Sequence, residues 1–215
     1  MTAPPTFTNL IRFVDQNDLE HYGDVCDGNL NDILGITVPV LDGDLFNLRQ
    51  TDEQGELCVI ISKTGKNIPE DEALDYVLGI SAGNDLSSRY WQRPPRSGGQ
   101  FTYAKSFDHF APIGPTILHR SQLTPNSSFQ IKTSVNGEIR QNGSTSDMIF
   151  GIEQIVAHAS KGTTLRQGTV IMTGTPSGIA AAMPGEPWLQ HGDVVEVEID
   201  GVGLLRNKLN FEANE

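Results

Sequence analysis

Cysteine is nearly absent, with only Cys26 and Cys58 in a chain of 215 residues. That count excludes a disulfide framework, and Cys58, set inside an apolar run, reads as a buried reduced thiol. Long apolar runs are missing as well, so nothing in the sequence has the length needed to span a bilayer. The opening Met1-Thr2-Ala3-Pro4-Pro5 lacks the charged start and apolar stretch of a secretion signal. Positive charge is scarce: 15 Lys and Arg stand against 27 Asp and Glu, a formal net charge of −12. Such an acid excess argues against nucleic acid or an anionic membrane as partner. It also repels carboxylates at long range, so capturing an anionic substrate needs local cations. These absences together predict a reducing, cytoplasmic setting.

What is present is turn chemistry. With 22 Gly, 12 Pro and 20% charged residues, the composition suits a turn-rich, mainly β protein rather than a disordered one. The length predicts one domain with a small appendage, divided as an N-terminal β unit over residues 1–46 and a main body over 47–215. In the first, 10–14 reads as a strand, 15–18 as a turn, 21–25 as the return strand, and 36–41 as a third, Pro-interrupted strand. In the second, 57–62 is a strand, Pro69 opens a short helix with acids in its first turn, and 76–82 is a buried segment ending at Asp85. Residues 93–100 have turn chemistry throughout. Residues 129–135 and 138–141 flank Asn136-Gly137, a strong hairpin signal. Ser146 is placed to cap a helix running to about Ser160, with Ile149, Ile152, Ile155, Val156 and Ala159 at helical spacing. Strands at 169–172 and 194–199, the latter continuing through Asp200-Gly201 into a second hairpin, complete the reading.

Two acids stand out. Glu56 opens the apolar run Leu57-Cys58-Val59-Ile60-Ile61, and Asp85 closes the run from Tyr76 to Asn84. A carboxylate at the mouth of a buried strand is costly unless a positive group meets it. Followed by Arg89 and Lys105, the pair has the makings of a site for a hard divalent cation and an anionic substrate. Spacing alone leaves a second reading open, in which both are strand-end acids facing water.

Longer stretches carry more. Gly83-Asn84-Asp85-Leu86-Ser87-Ser88-Arg89-Tyr90-Trp91-Gln92, Lys105-Ser106-Phe107-Asp108, Thr173-Gly174-Thr175-Pro176-Ser177-Gly178 and Gly192-Asp193-Val194-Val195-Glu196-Val197-Glu198-Ile199 together resemble the fumarylacetoacetate hydrolase family, in its order and spacing, over roughly residues 51 to 211. The resemblance implies a β-rich roll with a few short helices, homodimeric assembly, and Mg2+ or Mn2+ as cofactor. It implies chemistry on small 2-oxo or β-dicarbonyl acids: C–C cleavage, decarboxylation or tautomerisation through a metal-stabilised enolate. By the same resemblance Glu56 and Asp85 are metal ligands and Lys105 supplies positive charge beside them. Arg89 and Gln92 occupy substrate-side positions, a structural ion pair being the other role open to Arg89. Gly174 and Thr175 belong to a turn that holds the substrate carboxylate.

The chain departs from the family pattern twice. Where the family has two Glu one residue apart, this sequence has Gln54-Gly55-Glu56, so one anionic ligand becomes an amide. Residues two apart on a strand share a face, so the Gln54 carbonyl remains a candidate ligand, at reduced charge. Asp52 has the same parity. The family's water-activating His-x-x-Glu pair also has no counterpart between Asp44 and Glu56, which disfavours hydrolysis and leaves decarboxylation or tautomerisation. An alternative is a catalytically reduced protein that binds a metabolite or a partner. Of the five histidines, only His109 follows the Lys105 motif closely enough to be a weak candidate.

Overall fold

The computed structural model describes residues 9–14, 20–24, 50–124 and 127–211, the first two stretches as backbone only. In chain order the strands are β1 (Asn9–Val14), β2 (Glu20–Asp24), β3 (Thr51–Asp52), β4 (Gly55–Ile61), β5 (Gly65–Lys66), β6 (Val77–Asn84) and β7 (Ser87–Ser88). They continue as β8 (Ile113–His119), β9 (Gln130–Val135), β10 (Glu138–Ser144), β11 (Thr164–Leu165), β12 (Val170–Met172), β13 (Val194–Ile199) and β14 (Gly203–Lys208). Helices are short: α1 (Arg89–Gln92), α2 (Thr102–Lys105) and α3 (Ile152–Ser160), with a few 3-10 turns. The mainly β reading holds, in the order the motifs implied.

Two sheets form the body. The larger runs β12-β4-β6-β8-β1-β2 and the smaller β10-β9-β13-β14; β3 pairs with β7 and β5 with β11. All seven residues of β4 are buried, which requires cover on both faces of that strand. The smaller sheet packs β9 and β13 against β4 and β6. In β13 the alternation is clean, with Val195, Val197 and Ile199 buried between half-buried neighbours. They meet Leu57, Val59, Ile61, Ile80 and Leu205 in one core. Truncating a residue such as Leu57, which has no exposed surface, to Ala costs about 2–5 kcal/mol.

The hairpins fall where the turn residues put them. Asn136, at φ 52°, and Gly137, at φ 83°, take the two left-handed positions of the tight turn between β9 and β10. The N-terminal hairpin of β1 and β2 also forms, and β1 joins the larger sheet, pairing with β8 through Asn9↔Leu118, Leu10↔Ile117 and Ile11↔Thr116. The expected third strand at 36–41, and the division at 46/47, lie outside the described residues.

The helix expected from Ser146 is displaced. A 3-10 turn spans Thr145–Asp147, capped by Ser144 in a reciprocal box with Asp147, and Met148 ends it in extended backbone. The α-helix starts only at Ile152, after Gly151, whose amide bonds Gln154. Capping therefore favours two short elements over one long one. Ile149, counted as a core-facing helical position, is 89% exposed instead. Among the described residues no helix is long and apolar enough to cross a membrane.

Candidate active site

Antiparallel pairing of β4 and β6 brings the candidate acids to one end of the larger sheet. Glu56 lies across from Gly83 and Gly55 from Asn84; just past the last pair, the Asp85 amide donates to the Gln54 carbonyl at 2.9 Å. Gly83 is glycine for want of space: a Cβ there would collide with Cys58 Sγ and Met172 Cε. Gln54, Glu56 and Asp85 are all buried. The amide nitrogen of Gln54 donates to the Asp85 carbonyl and to Ser87 Oγ, so its oxygen is the end left to accept.

On the other side of β4, β12 delivers the Thr173–Pro176 turn. Thr173 N–H donates to the Leu57 carbonyl, Gly174 N–H to Glu56 Oε2 at 2.8 Å, and Thr175 Oγ1 to the Gly55 carbonyl at 2.9 Å. Burial pushes the Glu56 carboxyl up to about 7; the Gly174 amide opposes this, the charge of Asp85 adds to it, and Lys105 opposes it. Burial likewise lifts the Cys58 thiol to about 12, with Glu56 and Asp85 adding to the shift, so Cys58 is an inert packing residue.

Lys105, the last residue of α2, forms an ion pair with Asp85 Oδ2 and donates to Ser87 Oγ at 2.8 Å. Arg89 opens α1. Its Nε lies 2.9 and 3.0 Å from the two oxygens of Asp52, a residue with no exposed surface, and its Nη1 bonds Gln92 Oε1. Arg89 thus makes the ion pair that the sequence left open as its other role, and Asp52 faces Arg89 and the Ala181 amide. Burial raises the Asp52 carboxyl, against the pull of Arg89. The next acid, Glu53, is held in the same way by Arg140 at 2.8 Å. His109 is exposed, in left-handed backbone at φ 66°.

The donors can be tested against a hard cation on their own chemistry. Two buried carboxylates close enough for one to raise the other, with a single lysine between them, leave the sheet end one negative charge in excess when both ionise. Oxygen donors of this kind fit Mg2+ or Mn2+. Among the described residues no group of three or more His, Cys, Asp or Glu side chains is arranged for a metal; the Gln54 side-chain oxygen is the further oxygen donor buried beside Glu56 and Asp85.

Sequence reasoning missed Ser87, shared by Gln54 and Lys105, and Gln141, which reaches the Thr175 turn from β10 at 2.7 Å. It also missed the Glu53–Arg140 pair. Ser87 sits inside a quoted motif and was within reach of the sequence; Gln141 carried no motif at all.

Residues 35–210 match the family model for the fumarylacetoacetate (FAA) hydrolase C-terminal domain. The chain belongs to the fumarylacetoacetate hydrolase family. Within that family it is 40% identical over 160 residues to the oxaloacetate tautomerase YisK of Bacillus subtilis, covering 74% of this chain and 52% of that protein. It is 38% identical over 159 residues to the mitochondrial oxaloacetate tautomerase fahd2 of Xenopus laevis, covering 74% and 50%. The chain therefore spans about half the length of these relatives. Among solved family structures, a fumarylacetoacetate hydrolase from Exiguobacterium antarcticum superposes with TM-score 0.73 at 37% identity, over 82% of this chain and 63% of that one. The fumarylpyruvate hydrolase of Pseudomonas aeruginosa, in complex with Mn2+ and pyruvate, superposes with TM-score 0.70 at 28% identity, over 82% and 75%.

Proposed function

We propose that this chain is a divalent-metal-dependent enzyme that interconverts the keto and enol forms of a small 2-oxo dicarboxylic acid of the oxaloacetate type. One observation carries the reading: Glu56 and Asp85 are buried side by side at the end of β4 and β6, with Lys105 bonded to Asp85. Similarity to oxaloacetate tautomerases supports the substrate class, and the Mn2+ and pyruvate of the Pseudomonas hydrolase support the metal and the 2-oxo acid.

Glu56, Asp85 and the side-chain oxygen of Gln54 would hold Mg2+ or Mn2+. When bound, such a cation supplies a Lewis acid for the oxygens of the oxo acid. The chain's own groups do the rest. Lys105 has three N–H donors, of which Asp85 and Ser87 take two; the third meets the charge that develops on the substrate's 2-oxygen. Asp52 holds Arg89, and Arg89 holds Gln92 by its amide oxygen, leaving the amide nitrogen to bond the substrate. With the Gly174 amide given to Glu56 and the Thr175 hydroxyl to Gly55, the turn would meet the substrate carboxylate through the Thr175 backbone amide. Tautomerisation moves only a proton, and Gln54 together with the lack of a His-x-x-Glu pair between Asp44 and Glu56 favours it over hydrolysis. Those two departures also favour the second reading, a metabolite-binding protein of reduced activity. Homodimeric assembly is part of the proposal, given the apolar surface that Phe101, Ile149 and Phe150 expose; sedimentation at micromolar concentration decides it.

The test of function is the decay of enol-oxaloacetate absorbance with and without Mn2+. Acceleration by wild type that disappears in Asp85→Ala supports the enzyme. Binding of oxaloacetate without acceleration supports the second reading.

A further inference from the structure

The ladder between β12 and β4 ends at Met172↔Cys58, short of Glu56. Beyond that point Thr173 still bonds the Leu57 carbonyl through its N–H and hydroxyl, and from Glu56 and Gly174 onward side chains take over the register. Gln141 is where the bonds converge. It stands on β10, in the other sheet, and has no exposed surface. Its Oε1 accepts from Gly55 N–H at 2.9 Å, and its Nε2 donates to Thr175 Oγ1 at 2.7 Å and to the Pro176 carbonyl at 2.9 Å. Thr175 Oγ1 in turn donates to the Gly55 carbonyl at 2.9 Å. The bonds close a ring through Gly55, Gln141 and Thr175, and two of those residues directly flank the partners of the Glu56–Gly174 hydrogen bond.

We propose that Gln141 is a positioning residue for the metal site, holding Glu56 and the Thr173–Pro176 turn in the geometry that binds the cation. The proposal rests on the metal reading of Glu56 and Asp85. Gln141 acts on Glu56 indirectly, through the Gly55 amide, the Thr175 hydroxyl and the Pro176 carbonyl. No other residue type serves all three bonds from this position. An acceptor must face Gly55 while donors face Thr175 and Pro176, which the primary amide supplies and a carboxylate, hydroxyl or thioether does not. Gly55 itself lies tight against the other sheet, since a Cβ there would collide with Thr133 Oγ1. Loss of the ring frees the turn to drift from Glu56. Groups that orient metal ligands in this way are worth about 10- to 100-fold in metal affinity.

Calorimetric titration of Mn2+ into full-length wild type, Gln141→Met and Ser160→Ala tests this. Ser160 is equally buried, accepting from Ile68 N–H and donating to the Ala157 carbonyl at 2.9 Å each, and belongs to α3 rather than the site. Both variants lose thermal stability. Gln141→Met is expected to bind Mn2+ about 10- to 100-fold more weakly than wild type, with an altered electron paramagnetic resonance spectrum of the bound ion; Ser160→Ala retains wild-type affinity and spectrum. Thr175→Val, which breaks the ring at its other node, weakens binding in the same direction and serves if Gln141→Met fails to fold. Wild-type affinity in both ring variants, or an equal loss in Ser160→Ala, overturns the positioning role while leaving the metal reading standing. Failure of wild type to bind Mn2+ sinks the metal reading, and this inference with it.

Discussion

The Oε2 atom of Glu56 accepts a hydrogen bond from the backbone N–H of Gly174, 118 residues further along the chain, at 2.8 Å. A carboxyl so buried, with a second acid beside it, titrates at about 7 in place of its ordinary 4.5. Between these values the folded protein binds more protons than the unfolded one. Stability of the metal-free protein therefore falls as pH rises from 4.5 to 7, by on the order of 3 kcal/mol. Asp52 and Glu53, also raised by burial, add to the slope in the same direction. Urea denaturation in chelator at pH 5 and pH 8 should show wild type losing stability and Glu56→Gln losing less. An identical slope in the two proteins would mean that Glu56 is not the titrating group.

Gln54→Glu restores a third carboxylate and should tighten Mn2+ binding. The exchange has an opposite effect without metal, because the Gln54 amide donates to the Asp85 carbonyl and to Ser87 Oγ, and a carboxylate would face the carbonyl oxygen with no proton to offer. A loss of about 1–3 kcal/mol is expected for the metal-free variant. Thermal melting with and without Mn2+ should cross over: the variant melts below wild type in chelator and gains more on adding the ion. Unchanged Mn2+ affinity would mean that residue 54 does not face the cation.

Lys105→Met separates binding from turnover. It releases Asp85 from its ion pair, so Mn2+ affinity should be retained or improved. Removing the donor to the substrate oxygen should slow tautomerisation by about a hundred- to a thousandfold. Measuring both constants on one preparation is decisive: loss of metal binding with turnover would make Lys105 structural.

Arg89→Met tests the ion pair. Asp52 has no exposed surface, so removing its partner strands a buried charge at a cost of about 3–5 kcal/mol. Adding Asp52→Asn should return part of that loss in urea denaturation. If Arg89→Met is as stable as wild type and fails only in KM, Arg89 is a substrate contact instead.

Much of this was legible in the chain. The apolar runs bounded by Glu56 and Asp85, and the Asn136-Gly137 turn, announced strands whose pairing follows from their order. Local chemistry was a poorer guide where two short caps outcompeted one long periodicity, so the helix expected at Ser146 begins at Ile152. Gln141 was hidden for a different reason. Simple alternation places residues 139 and 141 on one face, yet a bulge between them leaves Ile139 54% exposed and Gln141 with no exposed surface. A sequence does not print its bulges. The ion pairs were unreadable too, because Arg89 and Arg140 find Asp52 and Glu53 through tertiary approach rather than spacing.

Pairing of β1 with β8 has a bearing on how the chain behaves before and during assembly of its fold. Without β1, the row of backbone amides and carbonyls along β8 at Thr116, Ile117 and Leu118 would lie open as a template for foreign strands. Among the described residues the N-terminal hairpin covers that rim and places β2 at the end of the sheet. The hairpin thereby closes off on β8 the kind of bare strand edge at which sheets of separate molecules pair.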